Sequence, residues 1–199
     1  ESPEAEPTEA PAAEETDGAA IVVGENTYGT LAEAFAAIAD SADMSGTPDY
    51  IKVKGDIEIN ASIDVPANKN IMLVAAEDTT IKRAAGFTGS MFTVSGGSLQ
   101  MAGGSVTDAN GTALGSGSLT VDGSGDGVTG SVVEVSGGNY ALTDGATLTG
   151  NNTTGDGAAI NNAAGANVYI LGGTITGNTT TGNGGAINNA AGANVYLQG

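Results

Sequence analysis

The amino-acid sequence predicts an all-β fold, a parallel β-helix solenoid with one N-terminal capping α-helix. Residues 157–171 return almost unchanged as 184–198, which defines a 27-residue repeat. The repeat consists of Gly, Asn, Thr and Ala around short apolar pairs, and apolar and polar residues alternate along it, which is the pattern of strands. A fixed period of this length indicates one structural unit stacked on copies of itself.

The first 19 residues form a segment rich in Pro and Glu. They include seven acidic residues, three prolines and no large apolar residue. Such a composition buries too little apolar surface to fold. We therefore expect residues 1–19 to be a disordered acidic tail.

Residues 20–83 are predicted to form an N-terminal cap and the first turns of the β-helix. Thr30 and Glu33 have the spacing of a helix capping box, and Leu31 and Phe35 follow at helical spacing. These signals predict a helix over 31–42, which would cover the open end of the stack. The strand-like segments that follow are 50–53, 56–59, 62–65, 71–74 and 80–82.

Residues 84–199 are predicted to form the coils of the β-helix. One repeat contains three strand-like pieces, at 159–161, 167–171 and 174–176. Adjacent turns of such a stack lie about 4.8 Å apart, so residues 27 positions apart should lie above one another. Each added turn should add stability.

An insertion is predicted at 108–131. Residues 91–104 resemble 132–145 at a spacing of 41 rather than 27, and the extra residues fall in a stretch rich in Gly and Ser. Insertions in solenoids form loops, so we expect a loop or small hairpin. At the other end, the repeat predicts a further strand after residue 199, which indicates a longer array and makes end-to-end self-association plausible.

The charge of the chain excludes several classes of partner. The net charge is −18, from 23 acidic and five basic residues, and no Lys, Arg or His follows Arg83. Such a surface repels nucleic acid and anionic membranes, and no apolar run approaches the ~20 residues that span a bilayer. The absence of cysteine excludes disulfides and thiolate metal sites.

Two short motifs recur in the repeat. Residues 184–187 read Gly-Gly-Ala-Ile and residues 175–178 read Ile-Thr-Gly-Asn. They resemble the GGA(I/L/V) and FxxN motifs of the polymorphic outer membrane proteins, with Ile175 in place of Phe and with Ala158 interrupting the first motif in its earlier copy. The repeats are similar to the right-handed, pectin-lyase-like β-helices of bacterial surface proteins. The opening helix and strands look like the N-terminal cap of surface proteins of Gram-positive anaerobes.

This resemblance implies an extracellular, cell-wall or cell-surface protein that acts as a non-catalytic adhesin or rigid stalk. Its partners would be a host or environmental glycan or protein, or neighbouring cell-surface components. The alternative is a carbohydrate-active enzyme or a polysaccharide-binding module of the same fold. Lyases of this fold use a Lys or Arg base, which the coils after Arg83 lack, and hydrolases need two carboxylates about 5–9.5 Å apart. No acid recurs at the 27-residue spacing, so we predict no catalytic residues.

Two tyrosines occupy equivalent positions in the last two repeats. Tyr169 and Tyr196 flank apolar residues that point inward, so their rings should stack on the outer surface. Exposed aromatic rings can bind the faces of sugars. Stacked aromatic residues also stabilise neighbouring strands by packing alone, which is the second explanation.

A second outward ladder is predicted from four threonines, with Ser105 and Thr107 as a further rung. Flat T-x-T arrays occur in ice-binding β-solenoids, which gives a second alternative function. The preference of threonine for strands explains the same pattern. The four residues are Thr147, Thr149, Thr174 and Thr176.

Asparagines also recur at the 27-residue spacing. Asn151 is followed by Asn178, and Asn161 by Asn188. Amide side chains at such positions can hydrogen-bond along the stack and satisfy buried turn groups. We predict a structural role for these ladders.

One segment of the insertion resembles the first half of an EF-hand-type calcium loop. Asp122, Ser124 and Asp126 have the D-x-S-x-D-G spacing, but Val133 stands where the twelfth position needs an acid. The alternative is a polar Gly and Asp turn that binds no ion. Calcium at these three residues is the only cofactor that the sequence suggests.

Overall fold

A computed structural model describes residues 19–198, which form a mostly β fold. The predicted tail therefore lies outside the described residues, apart from Ala19. In chain order the elements are β1 (Ala20–Val23), β2 (Asn26–Tyr28), α1 (Leu31–Ala37), β3 (Asp49–Ile59), β4 (Ile63–Val65), β5 (Asn70–Arg83), β6 (Phe92–Ala102), β7 (Val106–Thr107), β8 (Ala113–Gly115), β9 (Leu119–Asp122), β10 (Val133–Thr143), β11 (Ala146–Thr149), β12 (Asn152–Thr153), β13 (Ile160–Asn162), β14 (Asn167–Leu171), β15 (Thr174–Thr176), β16 (Thr179–Thr180), β17 (Ile187–Asn189) and β18 (Asn194–Leu197).

Parallel pairing connects strands that are one repeat apart. β13 pairs with β17, β14 with β18, and β11 with β15, each in parallel and without a register shift. In these pairs Ile160 lies beside Ile187, and the offset is 27 residues throughout. Between β6 and β10 the offset is larger, because Phe92 pairs with Val133. The structure thus places side by side the residues that the repeat predicted to stack.

The core consists of columns, each formed by residues at one register position of successive strands. Ile71, Leu99, Tyr140 and Val168 form one column, and all four are fully buried. The alternation of buried and outward residues follows from the two-residue period of a strand. Burial of each large apolar side chain contributes about 1.5–3 kcal/mol. Stability is therefore distributed along the stack.

Two strands are longer than the sequence predicts. β3 joins the predicted segments 50–53 and 56–59, and β5 joins the predicted segments 71–74 and 80–82. β3 shifts its register between Val53 and Gly55, and Gly55 has a φ of 74°. Glycine adopts this conformation at little cost, so the strand bends and keeps its hydrogen bonds on both sides.

Helix α1 begins where the sequence predicts. The hydroxyl of Thr30 accepts from the amide of Glu33 at 3.2 Å, and the Glu33 carboxylate accepts from the amide of Thr30 at 3.0 Å. The helix buries Leu31 and Phe35, and the ring of Phe35 lies 6.1 Å from that of Phe92. None of the helical structure in residues 19–198 is long and apolar enough to cross a membrane.

The end of the predicted helix is wrong, because α1 stops at Ala37 rather than at residue 42. Ile38 turns to a ψ of 136° and buries its side chain in the core. Beyond it, Asp43 accepts a hydrogen bond from the amide of Ser45 at 2.9 Å. Such local side-chain bonds compete with helical hydrogen bonds.

The predicted insertion at 108–131 has different bounds in the structure. β7 and β8 form an antiparallel hairpin in which Val106 pairs with Gly115. β9, which we placed inside the insertion, instead pairs in parallel with β5 and β11. Leu119 and Val121 explain the difference, since both side chains are buried and β9 therefore belongs to the main stack.

Candidate functional site

The rings of Tyr169 and Tyr196 stack on the outer surface. Their centroids lie 4.8 Å apart and their planes differ by 10°. Tyr196 is 48% exposed and Tyr169 is half-buried. The same register position is occupied by Ala141 in β10 and by Gln100 in β6. We call these four residues the tyrosine column.

Amide side chains run parallel to the tyrosine column, two residues earlier in each strand. Asn194 donates to the side-chain oxygen of Asn167 at 3.0 Å, and Asn167 donates to that of Asn139 at 3.1 Å. Residues 157–198 contain no charged side chain. The part of this surface formed by residues 157–198 therefore offers flat rings and hydrogen-bonding amides without charge, which suits the apolar face and the hydroxyls of a neutral sugar.

The four predicted threonines form a regular outward array. Thr147 pairs with Thr174, and Thr149 pairs with Thr176. Leu148, which stands between Thr147 and Thr149 in β11, points into the core. Thr174 and Thr176 are exposed. The structure thus brings these hydroxyls together on one face, as the sequence predicts.

The predicted third rung of that array is wrong. Thr107 lies in the antiparallel hairpin, paired with Ala113, so it cannot extend the parallel ladder. The strand beside β11 is β9, which aligns Thr120 with Thr147 and Asp122 with Thr149. Because the hairpin takes Thr107 out of the parallel stack, the next row of the array consists of Thr120 and Asp122 in β9.

The side chains of Asn161 and Asn188 extend a ladder that starts at an acid. Asn188 donates to the Asn161 oxygen at 2.8 Å, and Asn161 donates to both Glu134 oxygens at 3.1 and 3.0 Å. Burial raises the pKa of the Glu134 carboxyl, while the bond from Asn161 partly opposes that rise. The sequence pattern predicts the two asparagines, but it does not show that their ladder begins at Glu134.

Asn151 is fully buried and joins three segments of chain. Its amide donates to the carbonyl oxygens of Gly130 at 2.9 Å and Ala158 at 2.6 Å. Its backbone amide donates to the side-chain oxygen of Asn178 at 3.1 Å. These contacts agree with the predicted structural role of both residues.

Arg83, the last basic residue of the chain, is a buried cation. Its guanidinium donates to the carbonyl oxygens of Gly123, at 2.9 Å, and Gly89 and stacks over the ring of Phe87 at 5.2 Å. Burial lowers the pKa of the guanidinium. No carboxylate within residues 19–198 forms an ion pair with Arg83. Strand alternation places it inward, but nothing in the sequence indicates its acceptors.

The predicted calcium residues lie at the end of β9 and in the loop after it. The Asp122 carboxylate accepts from the amide of Ser124 at 2.9 Å, and Asp126 is exposed. The first contact is the geometry of a polar turn. In the described part of the chain, no group of three or more acidic, His or Cys side chains is arranged to hold a metal ion.

Comparisons with protein-family models, with curated proteins and with solved structures found no match to this chain. The class that fold and surface define is therefore limited to a mostly β protein with in-register parallel repeats.

Proposed function

We propose that this chain is a right-handed parallel β-helix with an N-terminal helical cap, and that it serves an extracellular bacterial surface protein as an adhesin or rigid stalk. The observation that supports the proposal most is the 27-residue register, which is kept by the four strand pairs β11–β15, β12–β16, β13–β17 and β14–β18. Stacked repeats of this kind give a stiff, elongated body whose length follows the repeat number.

The adhesive surface in this proposal is the tyrosine column with its adjoining asparagines. Tyr169 and Tyr196 present ring faces and edges beside the amides of Asn167 and Asn194. Aromatic rings supply apolar contact for sugar C–H groups, and amides supply donors and acceptors for hydroxyls. The neutral surface of residues 157–198 adds no electrostatic penalty for an uncharged glycan.

A glycan-binding experiment tests this function. The protein is screened against host and plant glycans, with and without calcium, alongside the Tyr169→Ala/Tyr196→Ala double variant. Saturable binding that the double variant loses supports an adhesin. Absence of binding supports the stalk. Release of reducing or unsaturated sugar ends by the protein would contradict a non-catalytic role and favour a carbohydrate-active enzyme.

The threonine array supports a second candidate, binding to ice. Thr147, Thr149, Thr174 and Thr176 form a two-by-two set of outward side chains in perfect register. The corresponding test is thermal hysteresis of the protein solution. We expect Thr147→Tyr and Thr174→Tyr to abolish hysteresis if the array binds ice. A solution without hysteresis removes this candidate.

A further inference from the structure

The tyrosine column is interrupted at Ala141. Ala141 lies beside Tyr169 in the register of β10 and β14, and beside Gln100 in the register of β10 and β6. The two tyrosine rings are nearly parallel, and their separation of 4.8 Å is close to the spacing of neighbouring strands. One ring face of Tyr169 is therefore covered by Tyr196, and the other is directed toward the Ala141 row.

A methyl group cannot cover the face of a phenol ring. From the register we infer a gap one strand wide at the Ala141 row, between Tyr169 and Gln100. We call it the notch. Ala141, Tyr169 and Gln100 are each half-buried, so the notch opens on the outer surface. Measured across the strands, the notch is as wide as the row that one further aromatic ring would occupy.

Polar groups flank the notch on both sides along β10. Asn139 accepts from Asn167 at 3.1 Å, and the hydroxyl of Thr143 donates to the carbonyl oxygen of Met101 at 3.1 Å. Among residues 19–198, the side-chain amide of Gln100 has no hydrogen-bond partner. An aromatic roof is thus combined with amide and hydroxyl groups around a space of ring thickness.

We propose that the notch binds one uncharged pyranose unit of a glycan, which inserts against the free face of Tyr169 and continues the stack. This inference rests on the proposed adhesin function and specifies its ligand. The apolar C–H face of the sugar would contact Tyr169 and Ala141, and its hydroxyls would bond to Gln100 and Asn139. An uncharged sugar is favoured over a uronate because Asp144 directly follows the last residue of β10 and the net charge of the chain is −18, so a carboxylate on the sugar would be repelled.

Three single substitutions test the notch with neutral oligomers of glucose, xylose, mannose and N-acetylglucosamine as probes. Ala141→Leu fills the space, Ala141→Ser keeps it open, and Tyr169→Ala removes the roof. We expect Ala141→Leu and Tyr169→Ala to weaken binding about tenfold, the size of one lost stacking contact, and Ala141→Ser to change it by less than about threefold. Titration calorimetry measures the affinities.

An NMR experiment on the wild-type protein is independent of how the variants fold. Contacts between the Ala141 methyl protons and the ring protons of the bound sugar are expected.

If Ala141→Leu binds as tightly as wild type while Tyr169→Ala does not bind, the sugar contacts the outer edges of the tyrosine rings. That result overturns the notch and leaves the adhesin proposal. If wild type binds none of the oligomers, the notch is overturned and the stalk remains. Release of new sugar ends would instead contradict the proposed function.

Discussion

The guanidinium of Arg83 donates to the side-chain oxygen of Asn151 at 3.3 Å, although the two residues are 68 positions apart. Both side chains are buried. Through them the end of β5 is connected to the loops that contain Gly89, Gly123 and Ala158. We call this pair the buried node.

Asn151→Ala should destabilise the protein strongly. The substitution removes the amide donor from the carbonyl oxygens of Gly130 and Ala158 in a site that is closed to water, and Ala158 keeps the bond from the backbone amide of Val132. We expect the free energy of unfolding to fall by about 2–4 kcal/mol. Urea denaturation measures it. The control is Asn152→Ala at the exposed neighbouring position, expected to change it by less than about 0.5 kcal/mol. Equal losses in the two variants would contradict the buried node.

Arg83→Lys should also destabilise, although the charge is kept. An ammonium group cannot reach the several carbonyl oxygens that the planar guanidinium bonds at once. A loss of about 2–3 kcal/mol is expected from equilibrium denaturation. Lys82→Arg is the matched control, because Lys82 is exposed and bonds Asp56 at 2.7 Å. Wild-type stability in Arg83→Lys would show that the fork of donors is not required.

Glu134→Gln should raise stability at neutral pH. Burial raises the folded-state pKa of this carboxyl above its unfolded value, so ionisation destabilises the fold and stability falls as the pH rises through that pKa. An uncharged amide avoids this cost and still accepts from Asn161. The melting temperature should therefore increase at pH 7, and the difference should vanish near about pH 3, where the wild-type carboxyl is protonated.

Glu25→Gln serves as the control for that pH series, because Glu25 is exposed in the turn between β1 and β2. Its melting temperature should follow wild type across the range. A stabilisation of Glu134→Gln that is equal at both pH values would mean that ionisation is not its cause.

Two adjacent glycines should respond differently to alanine. Gly184 has a φ of 68°, and an added Cβ would lie 2.4 Å from the carbonyl oxygen of Ile187. An added Cβ at Gly185 would lie 3.9 Å from its nearest neighbour, the carbonyl oxygen of Asn178. Ala158 already occupies the equivalent position one repeat earlier. Gly184→Ala should lose more than about 1 kcal/mol, while Gly185→Ala should be neutral or gain about 0.4–1 kcal/mol. Thermal unfolding compares them, and the reverse order would contradict the strain at Gly184.

The sequence was most informative where the repeat is regular. The contact of Tyr169 with Tyr196 and the pairing of Thr147 with Thr174 were predicted because a whole-repeat offset preserves both strand register and side-chain direction. The same reasoning failed at Thr107, where a hairpin leaves the stack and the next rung comes from β9.

The buried node was outside the reach of sequence reasoning for a different reason. Arg83 is satisfied by backbone carbonyl oxygens of loops, and these oxygens have no signature in the sequence. The sequence did not indicate that Glu134 is the first residue of an asparagine ladder, because it stands one repeat before Asn161 and is of another residue type. Patterns of identical residues show where a ladder continues, but not where it starts.

Two of the asparagine ladders share one direction of donation along the stack. Asn194 donates to Asn167, which donates to Asn139, and Asn188 donates to Asn161 with the same polarity. In these two ladders a repeat receives a bond from its successor, whereas between Asn162 and Asn189 the earlier residue is the donor, at 2.8 Å. Addition or deletion of a whole 27-residue unit would leave these amide bonds chemically equivalent at each junction. In the proposed β-helix, each such unit would change the length of the protein by about 4.8 Å without the need for a compensating mutation.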